Sequence, residues 1–476
     1  MNAPYNVRQQ KIGIVIIAMM ALACALWLAR EFSPGFMSFD TLYQYRQAIG
    51  LAALNDAHPV IMVMLWRFFS SISNNTGTML HFHQLLYWFT ISLFVLLVAR
   101  RLRYRVALLL AIGFCPPLVI TSLHIWKDVE MICALALACA TLLGYIRHRH
   151  WAWLVVATLS LFYATAVRIN GYVPALFLLF FLGYLCFGQL KLSRSKKAAL
   201  IVIAVAGLSL GFFQAITVLN AKAEKSHVIG TLLVWDLAEI SLAKNKDLIP
   251  PYIPRVSAGP VLEDLAKVRV REANYPFWSV VWPFPPEEHR RRLMPDWLSV
   301  VSANPLEYLK HRAHVLSVLM GIGVAEIYYP YHPGIDGNEL GFKFNTISEQ
   351  KAGSYFRGFE LLAKTIFYRP WLYVLLCIAA LCIACYRMRR LQGDPRENAL
   401  AAAVALSGIA NMASLFFLAT AADFRYGIWT VFSALIASVI VLAGVLEARR
   451  ESGNREPAQP GGERLPNSFD AMDGVR

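Results

Sequence analysis

A cluster of polar residues follows the first long apolar run of this chain. In SFDTLYQYRQAIGLAALNDAHP, from Ser38 to Pro59, Asp40, Gln44 and Gln47 recur at i, i+4 and i+7, one face of a helix. Asp56 and His58 close the stretch in NDAHP. Three more polar turns interrupt apolar runs: Lys127 and Asp128 in SLHIWKDVE, Arg168 and Asn170 in AVRINGY, and Asp423, Arg425 and Tyr426 in ATAADFRYGIW. A carboxylate at a partly desolvated interface has a raised pKa and can take a proton from a hydroxyl. Arginine and lysine hold a phosphate and neutralise the charge that develops on it as it leaves. Such a set suits group transfer from a phosphate-bearing lipid, with Gln44 and Gln47 amides on sugar hydroxyls and Tyr43, Tyr45 and Trp126 against a ring. Each residue also has a plain role: Asp40 as a helix cap, Lys127–Asp128 and Asp423–Arg425 as interfacial pairs, Arg168 as an anchor, and Asp56 and His58 as turn chemistry. Whether all of them share one side decides between the two readings.

The elements that would position them are membrane helices. The 476 residues are 57% hydrophobic and 16% charged, where a soluble chain carries about 25% charge. Apolar runs at 12–29, 83–99, 106–121, 129–146, 151–167, 171–188, 198–219, 370–386, 398–419 and 426–446 predict an all-α polytopic membrane protein of about ten spans. The first run reads as an uncleaved span rather than a signal peptide. The basic clusters RRLRYR, RHRH, KLSRSKK and RMRR all fall between apolar runs. That is the pattern of cytoplasmic loops, and it excludes a nucleic-acid groove.

Placing every basic cluster inside requires two apolar stretches not to span. His58 to Ile72 reads as a helix lying at the outer interface. Residues 313–329 read as a re-entrant or juxtamembrane helix, with an extra span near 356–368 as the alternative. The resulting organisation is a cytoplasmic N-terminus (1–11), an N-terminal membrane module (12–219) with its first outer loop at about 30–82, an outer region (220–369), C-terminal spans (370–447) and a disordered cytoplasmic tail (448–476). All four polar turns then face outward. Near-membrane ionisable groups gathered on one face mark a functional site.

Other chemistries fit less well. There is no HExxH, zinc spacing, EF-hand, GxSxG elbow or P-loop. His81/His83 and His311/His314 lack a matching carboxylate set, and Asn74-Asn75-Thr76 is a chance sequon. The eight cysteines all lie in apolar runs and read as small hydrophobes, Cys382 and Cys385 included.

The order of these features resembles the GT-C superfamily of membrane glycosyltransferases, near its protein mannosyltransferase-like and aminoarabinose transferase-like bacterial members. The carriers are Asp40 early in the first outer loop, Asp56-Ala57-His58-Pro59 leading into an interfacial helix, Lys127-Asp128, Arg168, and the late Arg425-Tyr426. Specificity is confined to roughly the first 200 residues. The resemblance implies an inner-membrane enzyme with both termini cytoplasmic, acting at the periplasmic face. It would transfer sugar from a polyprenyl-phosphate or diphosphate donor to a hydroxyl or amine of a glycan, lipid or protein, with inversion. Asp40 would be the acceptor base, and Lys127, Arg168 and Arg425 donor-phosphate binders. Gln44, Asp56, His58, Asp128, Asn170 and Tyr426 complete the expected substrate-binding set. Many members carry paired acidic residues in the first loop; here the pair is Phe39-Asp40. No metal and no other cofactor is expected, because the turns offer no crowded carboxylate cluster for a hard divalent ion.

Two other classes share some of these features. A transporter or flippase of lipid-linked sugars would need polar groups at mid-helix depth or a matching inner set, and would favour interrupted repeats, none of which is evident. An O-antigen polymerase- or ligase-like enzyme would rely on arginines and a histidine in a large loop, for which His289, Arg290, Arg291 and Arg292 are available.

Overall fold

Each long apolar run folds as helix, the arrangement that satisfies every backbone group within a bilayer. The computed structural model describes residues 7–73, 77–332, 334–335, 337–344 and 346–453. The expected disordered tail lies outside the described residues from 454 onward, and the Asn74-Asn75-Thr76 sequon lies outside them too. The N-terminal helices are α1 (Val7–Glu31), α2 (Phe39–Ala48), α3 (Val60–Ile72), α4 (Thr78–Val98), α5 (Leu102–Gly113), α6 (Pro116–Ser122), α7 (Lys127–His148), α8 (Ala152–Val167), α9 (Tyr172–Phe187) and α10 (Arg194–Leu219). A loop-rich region follows with α11 (Ile229–Lys244), α12 (Val261–Val268), α13 (Arg290–Ala303), α14 (Pro305–Met320) and α15 (Thr346–Ala363). The chain ends in α16 (Pro370–Arg389), α17 (Pro395–Leu418) and α18 (Ile428–Gly453). Among the described residues, strand pairing is limited to isolated bridges.

The molecule is an all-α polytopic membrane protein. Among the described residues, eight helices are long and apolar enough to cross a membrane. Two other expected spans differ from simple rods. The run 106–121 is broken into α5 and α6, which meet at 66°. Pro116 and Pro117 open α6 and exclude helical geometry just before them. Gly113 ends α5 against the Trp88 ring, where a Cβ would collide. The other is α8, whose 16 residues reach about 24 Å, short of a hydrocarbon core of about 30 Å.

The expected helix at 313–329 is displaced. It starts earlier, as α14, and stops at Met320 because Gly321 takes a left-handed conformation (φ 73°). Residues 321–329 are not helical. The alternative span near 356–368 is also not one rod: α15 ends at Ala363 and a short 3-10 turn follows at Ile366–Tyr368.

Helix α7 is the axis of the bundle, packed by α4, α8, α9, α17 and α18. The last three helices pack on one another, and α17 returns onto α9 and α7. By contrast, α10 leans mainly on α9 and is exposed along most of its length. The loop-rich region has its own core, built on Leu233, Trp235, Leu237, Phe277, Val315 and Leu319. That core continues onto Met412, Leu415, Ala419 and Ala422 at the end of α17.

Small residues set the closeness of the C-terminal helices. A Cβ on Gly408 of α17 would run into Ser433 Oγ of α18 and Cys377 Sγ of α16. Gly408→Ala is therefore expected to destabilise the bundle by about 1–3 kcal/mol, read as a lowered thermal midpoint in detergent. Gly207→Ala on α10, where a Cβ meets open space, serves as the control and should cost nothing.

Candidate active site

The two ends of the bundle differ in chemistry. At one, Arg147 pairs with Glu397 at 2.9 Å and Arg100 with Glu447 at 3.4 Å, among the basic clusters. At the other, the loop end, α1, α8, α10 and α17 finish and α7 and α18 begin. All four polar turns lie at the loop end, and it is there that most of the expected residues meet.

After α1 the chain is stitched to the turn between α6 and α7. Phe36 N–H donates to Leu123 O and Ile125 N–H to Phe36 O, each at 3.0 Å. Ser38 then takes the N-cap position of α2, sharing it with Thr41, whose Oγ1 donates to Ile125 O at 2.9 Å. Trp126 Nε1 donates to Ser38 Oγ at 3.2 Å. Because Ser38 and Thr41 do the capping, Asp40 in the first turn is left to face cations. The capping role that the sequence allowed Asp40 belongs to its neighbour.

Arg425 stands at the centre. Its Nε donates to Asp423 Oδ2 at 3.1 Å, and its Nη2 lies 3.8 Å from Asp40 Oδ2. Its guanidinium lies over the rings of Trp126 (4.7 Å) and Tyr426 (5.4 Å). Arg168 lies over the Tyr426 ring at 4.9 Å and pairs with Asp128. Lys127 Nζ donates to Ala57 O at 3.3 Å. Asp40, Lys127, Arg168 and Arg425 thus form one electrostatic unit.

The charge state of Asp40 reverses the sequence expectation. Its side chain is 45% exposed and stands beside the Arg425 guanidinium. Burial alone would raise its pKa. Arg425, Lys127, His58 and Arg168 outweigh that and hold the carboxyl below its ordinary value. The sequence showed the interface but not the number of cations converging on it. His58 is pushed down to about 4, by burial first and then Lys127, with Asp40 opposing, so it is neutral at physiological pH. Burial raises Asp423 despite Arg425.

Other expected residues fall elsewhere. Gln44 is 2% exposed and its amide contacts His58 Nδ1 at 3.2 Å; Gln47 is fully buried. The spacing rightly put both on one face, but that face packs inward against α3 and leaves no room for a ligand. Gln44 therefore acts on the orientation of His58. Asp56 is exposed and points away: its Oδ1 accepts from Ser226 N–H at 2.7 Å and from the Ser226 hydroxyl. It joins the first loop to the segment after α10. Asn170 lies in the turn Ile169–Gly171, and among the described residues its side chain makes no hydrogen bond to the site.

Several groups at the site, Tyr275, Tyr328, Tyr329 and His332, were given no role by the sequence, and Asp423 was given only that of an interfacial pair. Asp423 is the nearest carboxylate to Arg425. A cavity of about 120 Å3 opens beside this pair, bounded by Trp126, Tyr275, Tyr328, Tyr329 and His332. The three tyrosines come from the loop-rich region, more than 100 residues from any of the four turns by sequence except the last.

Beneath the turn, His83 Nε2 meets Glu130 Oε1 at 3.0 Å and Tyr163 donates to Glu130 Oε2 at 2.5 Å. His83 Nδ1 faces the His124 carbonyl at 3.1 Å. A carbonyl only accepts, so Nδ1 carries a proton, and the Nε2–Oε1 contact needs one more. The sequence signal of this pair was faint: Glu130 is a third charge at the head of an apolar helix.

Among known families no sequence profile matches this chain, and no curated protein matches it. Among solved structures it is similar to ArnT from Cupriavidus metallidurans, solved bound to undecaprenyl phosphate. That likeness has a TM-score of 0.32 and 13% identity, over 92% of this chain and 78% of that one. A likeness of that size leaves the functional reading to rest on the site itself.

Proposed function

We propose that this chain is an integral-membrane glycosyltransferase that passes a sugar from a polyprenyl-phosphate donor to a hydroxyl- or amine-bearing glycan, lipid or protein. The observation that carries the reading is the placement of Asp40 3.8 Å from Arg425, with Lys127 and Arg168 close enough to act on its charge. Asp40 beside three cations, two of them also paired with Asp128 and Asp423, supplies at a membrane boundary the two things this transfer needs. The acceptor oxygen forms a bond to the anomeric carbon and its proton passes to Asp40. The bond from that carbon to the phosphate oxygen breaks, and the phosphate leaves with the electron pair. Arg425, Lys127 and Arg168 offset its charge.

The depressed pKa of Asp40 fits an ordered reaction. Without donor, the cations keep Asp40 ionised but weakly basic. A bound phosphate lies among the same cations and cancels their pull, so proton affinity at Asp40 rises when the donor is in place. The proposal needs no divalent ion, since three cationic side chains supply the counter-charge. It places the loop end at the periplasmic face of the inner membrane, with both termini cytoplasmic.

The test is a deletion strain analysed by mass spectrometry. A lipid-linked sugar should accumulate, and a surface glycan should lose that sugar. Unchanged pools of both would overturn the function. A cysteine at position 40 that is labelled only from the cytoplasm would overturn the orientation.

A further inference from the structure

The loop-rich region holds a buried ion pair that the transfer scheme does not use. Arg312 of α14 is 0% exposed and its Nη2 lies 2.5 Å from Asp236 Oδ1 of α11. Trp297 Nε1 donates to Asp236 Oδ2 at 3.0 Å. The guanidinium lies over Trp235 (5.5 Å) and Tyr308 (5.9 Å). Such a pair brings little net stability compared with apolar side chains of the same volume. What it holds is therefore informative.

Arg312 Nη1 donates to Ala419 O at 2.7 Å. Ala419 caps α17, so this carbonyl is among those a helix leaves unsatisfied at its C-terminus, where the macrodipole also favours a cation. From Ala419 the chain crosses in extended form to the turn Phe424–Gly427, and the loop-rich region grips it at each step. Asn274 N–H donates to Thr420 O at 3.3 Å, Ala422 N–H to Glu272 O at 2.7 Å and Phe424 N–H to Tyr328 O at 3.3 Å. Asp423, Arg425 and Tyr426 hang on this crossing. Arg312 anchors its first residue.

We infer that Arg312 is a positioning residue: by holding the Ala419 carbonyl it fixes the crossing that presents Arg425 to Asp40. Arg312 touches no proposed substrate atom, and it acts through the 419–424 backbone. The inference rests on the transferase reading only for what Arg425 does once placed.

The test uses the full-length protein in detergent and two variants. Asp236→Leu/Arg312→Met replaces the pair with apolar side chains, so a merely stabilising pair should be dispensable. Arg312→Lys keeps the charge beside Asp236 but lacks the planar fork that reaches two acceptors at once. It covers the case in which the double variant does not fold.

Hydrogen exchange is read on peptides spanning 419–427, and polyprenyl phosphate is the binding probe. The expected result is a thermal midpoint near that of the wild type in a folded variant, protection at 419–427 lowered by about tenfold or more, and unchanged protection in α7. Affinity for polyprenyl phosphate falls by about tenfold in parallel. Retained protection at 419–427 in the folded variants overturns the inference. So does lost protection with unchanged affinity for the probe, which would leave Arg312 an anchor of structure alone. If wild-type protein does not bind polyprenyl phosphate, the transferase reading fails, while the exchange result still decides whether Arg312 holds the crossing.

Discussion

Asp40→Asn removes sugar transfer, lowering the rate by about 10²–10⁴, the usual contribution of a positioned acid or base. The variant still inserts and purifies. Asparagine matches the shape of aspartate, and the cap of α2 belongs to Ser38 and Thr41. What disappears is the proton acceptor, together with one negative charge facing Arg425, Lys127 and Arg168. Those cations then attract the donor phosphate at least as well as before. The defect therefore falls on kcat while KM for the donor stays level or drops. Wild-type turnover by this variant would falsify the role of Asp40.

The same geometry fixes the pH response. The free-enzyme pKa of Asp40 lies below the ordinary value, so its carboxylate persists as pH falls through the usual carboxylate range. The acid limb of kcat/KM should appear only below the ordinary aspartate range. A limb at pH 5–6 would assign the base elsewhere.

Arg168→Met fails at the level of the fold before any question of ligand arises. Arg168 is 10% exposed and pairs with Asp128, which is fully buried at the head of α7. Removing one partner leaves an uncompensated buried charge, at a cost of about 3–5 kcal/mol. The sequence led one to expect weaker donor binding as the main effect. The structure puts destabilisation first, visible as a lowered thermal midpoint and less protein in the membrane fraction. Asp128→Asn/Arg168→Met neutralises both partners and should recover most of that stability. Affinity for polyprenyl phosphate in the double variant then isolates the ligand role. Unchanged affinity would make Arg168 a structural partner of α7 and no donor binder.

The helices were legible because a bilayer leaves the backbone few choices, and a run of apolar residues suffices to announce one. The break between α5 and α6 was written in Pro116 and Pro117, yet hydropathy averages over such marks. Convergence of the four polar turns was also legible, since alternation of spans brings them to one end. Three features were not. Spacing showed that Gln44 and Gln47 share a face but not that the face packs on α3. The interface location of Asp40 suggested a raised pKa, whereas the sign depends on a count of cations from three distant turns. The tyrosine-lined cavity and the grip on residues 419–424 come from contacts across more than 90 residues of chain, which no local pattern encodes.

The pairing of charges along α7 has a consequence for how the protein is made. At about 5–20 residues per second, the stretch from His148 to Pro395 occupies the ribosome for on the order of 10–50 s. Throughout that interval α7 sits in the bilayer without α17 and α18, which later cover it. Its two acidic residues do not wait for them: Asp128 pairs with Arg168 at the end of α8, and Glu130 with His83 of α4 and Tyr163 of α8. The late-arriving turn brings its own closed pair, Asp423 with Arg425. The acidic residues at the head of α7 and in the late turn therefore enter the membrane already paired. The final docking of α16–α18 then closes the pairs that cross between early and late halves, Asp40 with Arg425 at the loop end and Arg147 with Glu397 and Arg100 with Glu447 at the other.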